Sequence, residues 1–333
     1  MVSVTFINVG YGDSILIELK EKGHPFRILV DGGVNAGEHF TGHPQRIPTY
    51  AFLRSQKINS LDVLVITHLH EDHVAGLLPV VQNLPIRECW CNYLPEPGLS
   101  LTIPPLPSFA PEGAKKLNRS IQFFGRILDC LTQQGTDIRE ITKTELDKSL
   151  PEGGRVDILS EAPSLRARQR ELISRTCTAS NPLERIEAMI ELDAFINLTS
   201  LIVKVKSGKR SILLGGDVYA YYWEPVLDKG IDISADILKL PHHGHGDAAS
   251  PRFAEAVHPS HVVVCVSNDR TDNCPNPNIL KLFEGRSPGN ESIQIHFTDA
   301  VQLAPYTNGS VLRKAIVFSQ QSEESLFEVR SVL

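Results

Sequence analysis

The sequence has no surplus of positive charge, no long apolar run and no cysteine pattern. Its 333 residues carry 33 basic and 39 acidic side chains, a formal net charge of −6, so no global field attracts nucleic acid or an anionic membrane surface. No apolar stretch approaches the roughly 20 residues of a membrane-spanning helix, so no membrane association is expected. The opening MVSVTFINVGYGDSILIEL lacks a basic segment ahead of an apolar one and reads as two short strands, which sets the expectation of a cytoplasmic protein. Cys89, Cys91, Cys130, Cys177, Cys265 and Cys274 are scattered without zinc-finger spacing. Cys89 and Cys91 occupy alternate positions of a strand and read as small buried side chains in a reduced compartment. No internal repeat or low-complexity tract is present. The remaining composition, 41% hydrophobic and 22% charged with 23 Gly and 22 Pro spread along the chain, excludes a disordered or fibrous protein.

Apolar runs rich in β-branched residues alternate with segments of helical spacing, so the class is α/β. Residues 2–9 and 14–19 read as a hairpin joined by GYGDS, and RILVDGG as a third strand ending in glycines. IPTYAFLRSQKI is helical, DVLVIT a strand, HVAGLLPVVQNL one helix, and residues 95–115 a Pro-rich loop before an amphipathic helix that ends near Gly135. Residues 164–195 change character: they are charged, strand-poor and helix-prone, as an inserted helical hairpin would be. Strands resume at SLIVKVKSG, RSILLGGDV, ADILKLP, HVVVCVS and SIQIHF. The expected organisation is a single domain over residues 1–319 followed by a mobile tail at 320–333.

The chemistry concentrates in LDVLVITHLHEDHVAGLLPV, where a buried-strand pattern runs into His68, His70, Asp72 and His73. In an extended backbone His68 and His70 project to the same side, while Asp72 and His73 follow at the start of a helix and can aim at a second point nearby. A bare polar turn with Asp72 as helix cap is the structural alternative, but a cap needs no cluster of imidazoles. The design recurs elsewhere. Asp217 follows the apolar run and glycines of LLGGDV, and His242 and His243 end the strand of LKLPHHGHG.

In order along the chain, VTFINVGYGDSILIEL, ILVDGG, ITHLHEDHVAGL, LLGGDV and ILKLPHHG resemble the metallo-β-lactamase superfamily, and within it the ComEC/Rec2-type hydrolase domain and its free-standing relatives. The resemblance implies a four-layer αβ/βα sandwich, here with a helical insertion, and two divalent metal ions, zinc or manganese, at one edge. It implies His68 and His70 on metal 1, Asp72 and His73 on metal 2, Asp217 bridging and His242 completing metal 2. His243 would then face substrate, as a phosphate contact or acid; the reverse assignment of the two histidines is equally compatible with the sequence. Asp72, Asp217 and His243 become the candidate catalytic groups. Asn197 stands where superfamily members with a full metal 1 site have a third histidine, and an amide oxygen is a weaker ligand, so metal 1 is expected to be the weaker site.

Other residues carry open readings. Lys239 is either a phosphate contact at the pocket edge or a solvated lysine. Asn197 and His245 are candidate substrate contacts, His245 standing where the group commonly has serine. Asp31 reads as a carboxylate that fixes a ligand imidazole or as a plain turn residue, and Asp13 as a hairpin-turn residue. His39 and His43 read as surface histidines, and Tyr219, Tyr221, Tyr222 and Trp223 as packing residues or a stacking site for a base. Arg166, Arg168, Arg170 and Arg175 of the insertion suit either a phosphate-clamping lid or a helix face paired with its own glutamates.

A divalent ion at such an edge brings the pKa of bound water toward neutrality, so a hydrolase is expected. A phosphodiesterase or nuclease acting on a short oligonucleotide, a nucleotide or a phospholipid head group comes first. A lactonase or amidase is the alternative enzyme, and a metal-bearing component of a larger complex, docked through residues 164–195, the alternative of another class.

Overall fold

The computed structural model describes residues 1–20, 24–160, 163–269, 274–285, 292–306, 312–322 and 325–333. Two mixed sheets lie face to face. The first runs β15-β14-β1-β2-β3-β4-β5-β6, with β1 Val2–Ile7, β2 Ile15–Leu19, β3 Phe26–Val30, β4 Leu61–Ile66, β5 Ile86–Cys91, β6 Asp137–Glu140, β14 Ala315–Ser319 and β15 Glu328–Val332. The second runs β13-β12-β11-β10-β9-β8-β7, with β7 Glu145–Ser149, β8 Arg155–Leu159, β9 Ile202–Ser207, β10 Arg210–Leu214, β11 Ile237–Lys239, β12 His261–Val264 and β13 Gln294–Phe297. In each sheet an antiparallel half gives way to a parallel half: β3 to β6 are parallel in the first, β10 to β13 in the second.

The alternation of strand side chains builds three cores. On β4, Val63 and Val65 face the other sheet, where they meet Val203, Val205 and Leu214, while Leu61, Leu64 and Ile66 face outward. That outer face is covered by α1 Thr49–Ser55, α2 Glu71–Val74, α3 Leu77–Asn83 and α4 Glu112–Gln134, and by the hairpin of α5 Pro163–Thr178 and α6 Pro182–Asp193. The outer face of the second sheet is covered by α7 Trp223–Asp228, α8 Pro251–Val257 and α9 Pro277–Lys281. The result is the expected helix–sheet–sheet–helix arrangement, consistent with the metallo-β-lactamase fold.

Local chemistry accounts for the helix boundaries. Along α4, Leu117, Ile121, Phe124, Leu128 and Leu131 recur at helical spacing and are buried, and Gly135 ends the helix with φ 73°. The Asn181 side chain accepts from the Leu183 amide, and Pro182 opens α6. The segment expected as one helix after His73 divides into α2 and α3 at Gly76. A Cβ there would meet the Gly32 carbonyl oxygen at 1.9 Å, and the Gly76 amide donates to Gly33 O at 2.8 Å, so the chain bends to hold the loop after β3.

Of the segment expected as a mobile tail, residues 320–322 and 325–333 are described, and the latter carry β15. β15 pairs antiparallel with β14, and Phe327 packs at right angles against Phe318 with ring centroids 6.5 Å apart. β6 and β7, too polar to be recognised from pattern, each form one of the two edge strands of their sheet. Cys89 and Cys91 share the buried outer face of β5, as their spacing indicated. Among the described residues no helix is long and apolar enough to cross a membrane.

Phe318 joins the inter-sheet core to this C-terminal edge, contacting Phe6 edge-on at 5.9 Å. Phe318→Ala should lower the unfolding free energy by about 3–5 kcal/mol. Urea denaturation checks this, and a loss under about 1 kcal/mol would mean that the edge collapses around the void.

Candidate metal centre

The carboxyl ends of β3, β4, β10 and β11 meet at one edge of the sandwich, and each delivers part of a cluster. β4 runs into Thr67 and His68; His70 opens α2, whose first turn carries Asp72 and His73. His70 occupies the cap position without any side-chain capping bond, so helix capping does not explain the motif. Asp217 follows β10 after Gly216, which has φ 52°, and His243 follows β11.

Four side-chain atoms converge. His243 Nε2 lies 3.1 Å from Asp217 Oδ2 and 3.3 Å from Asp72 Oδ2, and His73 Nε2 lies 3.2 Å and 3.7 Å from the same two oxygens. Ligands on one zinc ion at its usual bond lengths are separated by about 3.3 Å. Asp72, His73, Asp217 and His243 therefore have the spacing of a shell around one ion.

The anchoring of each imidazole reinforces this fit. His73 Nδ1 meets Asp31 Oδ2 at 2.8 Å, and His243 Nδ1 meets the Cys265 carbonyl at 3.0 Å; each ring thereby donates through Nδ1 and leaves Nε2 to a second proton or to a metal ion. His243 Nε2 is buried and off hydrogen-bond geometry with every neighbour. Two imidazole nitrogens set between two buried carboxylates call for a bridging cation, either a proton on each Nε2 or a metal ion.

Beside this set, His68 Nε2 and His70 Nδ1 approach to 3.2 Å, again the separation of two ligands on one ion. His68 Nδ1 is held by Thr67 Oγ1 at 3.1 Å, and that hydroxyl donates to Asp31 Oδ2 at 2.6 Å. The His68 and His73 rings lie 4.1 Å apart, so the two sets adjoin. Asn197 is at this edge with a buried amide oxygen that has no partner, while its amide nitrogen lies 3.2 Å from His242 Nε2 and 3.3 Å from the Tyr219 hydroxyl.

Electrostatics report the same demand. Burial opposes charge on His73, yet Asp217, Asp72 and Asp31 outweigh it and raise its pKa well above the usual range. Burial likewise opposes charge on His243, but Asp217 and Asp72 push it up to about 10. Burial disfavours the ionised form of Asp217, yet His243, His73 and Lys239 hold it well below the usual carboxylate range. Burial and the neighbouring His73 and His70 push His68 down. Protons and a metal ion thus compete for the same lone pairs, so ion binding here strengthens as pH rises.

Several expectations change. His243, not His242, enters the cluster with Asp72 and Asp217, because consecutive left-handed residues (φ 46° and 51°) swing the two rings apart. His242 instead bonds Asp247 Oδ1 through Nδ1 at 2.8 Å and stacks on His245 at 4.3 Å. Lys239 is neither solvated nor at the pocket edge: it is 0% exposed, bonds Gly216 O at 3.0 Å, and pairs with Asp13 and with Asp217 Oδ1, the latter at 3.2 Å. Asp13 is correspondingly buried, with its amide donating to the Asp72 carbonyl at 3.2 Å, a role no turn pattern signals. Asp31 is fully buried and contacts both His73 and Thr67.

A cavity of about 690 Å³ opens beside His70 and Asp72, walled by the start of α4, the loop after β3 and the end of α6. No local pattern in the chain marks α4 as one of its walls. His39, expected at the surface, lines the cavity, whereas Tyr222 and Trp223 belong to the core and Tyr221 is exposed. The four insertion arginines do not form a clamp. Arg166 donates to the carbonyls of Asn92 and Thr199, Arg168 pairs with Glu171 and Glu191, Arg170 with Glu140 and Glu96, and Arg175 with Glu184 and Glu187.

Residues 7–100 match the family described as Metallo-beta-lactamase superfamily. ComE operon protein 3 of Bacillus subtilis (strain 168) is 21% identical over 294 residues, an alignment that covers 85% of this chain and 31% of that protein's length. Among solved structures, the metallo-beta-lactamase fold protein YhfI from Bacillus subtilis is similar at TM-score 0.42 and 12% identity, with 89% of this chain and 96% of that one covered. Human tRNase Z, short form, is similar at TM-score 0.39 and 15% identity, with 81% and 94% covered.

Two outcomes test the cluster. Asp217→Ala should lose most of the metal that the wild type carries by elemental analysis; equal, near-stoichiometric metal in both would remove Asp217 from the site. Lys239→Met removes the buried cation that pairs with Asp13 and with Asp217 Oδ1 and should cost about 3–5 kcal/mol in urea denaturation with chelator present. A cost below about 1 kcal/mol would mean that water reaches the pair.

Proposed function

We propose that this chain, a metallo-beta-lactamase superfamily domain over residues 7–100, is a metal-dependent hydrolase of phosphodiesters that works with two divalent ions, zinc or manganese. Asp72, His73, Asp217 and His243 would hold one ion; His68 and His70, with Asn197, would hold the other more weakly. When bound, such ions polarise a phosphoryl oxygen and activate water. The observation that carries the reading is the pair of adjoining ligand sets, because paired ions suit both the entering and the leaving oxygen of an in-line phosphoryl displacement.

The chain's own contribution is positioning. Asp217 has Oδ1 tied to Lys239 and turns Oδ2 toward His73 and His243. Asp31 holds His73 directly and His68 through Thr67, so neither ring reorients when substrate arrives. The two carboxylates and the imidazoles are oxygen and nitrogen ligands with no thiolate among them, a set suited to zinc or manganese.

Substrate size follows from the cavity. About 690 Å³ accommodates a nucleotide-sized group. Its wall sets Lys116 and Arg119 against Glu38, Glu71, Glu112 and Asp193, so a long polyanion gains little there beyond its contact with the ions. A short oligonucleotide, a nucleotide or a comparable phosphate ester fits better than a duplex.

Metal-loaded enzyme should hydrolyse bis(p-nitrophenyl) phosphate, and Asp217→Ala should lower kcat/KM at least about 100-fold, the scale expected when a metal or its orienting carboxylate is lost. Lactone or β-lactam turnover with the diester untouched would move the protein to carboxylic chemistry. Stoichiometric metal without turnover on any of these substrates would favour a metal-bearing component of a larger assembly.

A further inference from the structure

Four histidines of the cluster each have one ring nitrogen tied to a neighbour and the other aimed inward. His68, His73 and His243 are tied by parts of the sandwich itself: Thr67, Asp31 and the Cys265 carbonyl. His70 is the exception. Its Nε2 lies 3.3 Å from Oδ1 of Asp193, the last residue of α6, and this side chain belongs to the insertion.

We propose that Asp193 is a positioning residue through which the helical insertion sets the tautomer and orientation of His70, and thereby the strength of the weaker ion site; this rests on the two-ion reading above. A hydrogen bond donated by Nε2–H to Asp193 leaves the His70 lone pair on Nδ1, the atom that faces His68 Nε2 at 3.2 Å. Two further features place the carboxylate. Gly113 of α4 makes room for it, since a Cβ there would meet Asp193 Oδ2 at 2.8 Å. α6 is seated rigidly: Ala188, Met189 and Leu192 pack in the same core as Leu117 and Ile121 of α4, and Arg168 ties Glu191 to α5. Because Asp193 also lines the cavity beside His70, the insertion forms part of the pocket through this one acid, and not through its arginines.

Ligand-orienting partners of this kind typically change metal affinity 10–100-fold. The test is a Mn²⁺ titration of the full chain, with nitrogen-detected NMR of the histidine rings in the metal-free protein. Wild type should show one tight and one weaker equivalent and His70 protonated at Nε2. Asp193→Ala should weaken only the second equivalent, by about 10–100-fold, and shift His70 toward the other tautomer. Asp193→Asn keeps an acceptor oxygen and should restore most of both signals. A single equivalent in wild type with the tautomer shift intact would support the anchoring and overturn the two-ion reading. Unchanged tautomer and affinity in Asp193→Ala, or equal loss of both equivalents together with the melting temperature in both variants, would overturn the proposal.

Discussion

The edge of this molecule is organised around one electrostatic problem: buried carboxylate and imidazole lone pairs converge on one point that a proton or a metal ion must occupy. Asp72, Asp217, His73 and His243 converge within 3.1–3.7 Å in a region shielded from water. Two carboxylates that close repel each other strongly at low dielectric, and only positive charge at the centre relieves them. His73 and His243 are accordingly pulled toward the protonated state, burial notwithstanding. The arrangement would be a liability in a purely structural core; as a cation site it has a purpose.

Much of the surrounding architecture keeps those lone pairs aimed inward. Asp31 takes the outer nitrogen of His73 and the hydroxyl of Thr67, and Thr67 in turn takes His68. Lys239, wholly buried, neutralises the far oxygen of Asp217 and the carboxylate of Asp13. Backbone conformation carries part of the cost. Asp31, His242 and His243 are non-glycine residues with positive φ, each worth about 1–3 kcal/mol of strain that the packing around them must offset. Gly12 allows the β1–β2 turn to touch the metal loop, where a Cβ would meet the Asp72 carbonyl at 1.9 Å.

The layer order explains how distant segments reach one edge. Parallel halves of both sheets put the carboxyl ends of β3, β4, β10 and β11 on the same side. Loops at strand ends are free to carry polar groups while the strands themselves hold the core. The insertion extends this logic from outside the sandwich: its helices pack on α4, and its final residue arrives next to His70.

The sequence by itself determined the α/β class, most of the central strands, the helical hairpin and the residues from which a metal site would be drawn. Local rules suffice for these: alternation along a strand, helical spacing along α4, and imidazoles two residues apart on an extended chain. The short strand EVRSV, read as part of a tail, is exposed over four of its five residues, so no alternation of burial marks β15. Only the tertiary structure decided between His242 and His243, since two adjacent rings are separated by backbone dihedrals that their spacing does not encode. It alone converted Lys239 from a surface candidate to a buried counter-ion, and Asp13 from a turn residue to its partner, because an ion pair over 200 residues apart leaves no local periodicity. It also chose between the two readings of the insertion's arginines: Arg168 and Arg175 pair with the hairpin's own glutamates, as one reading held, whereas Arg166 and Arg170 reach carbonyls and acids of other elements, which no local pattern encodes.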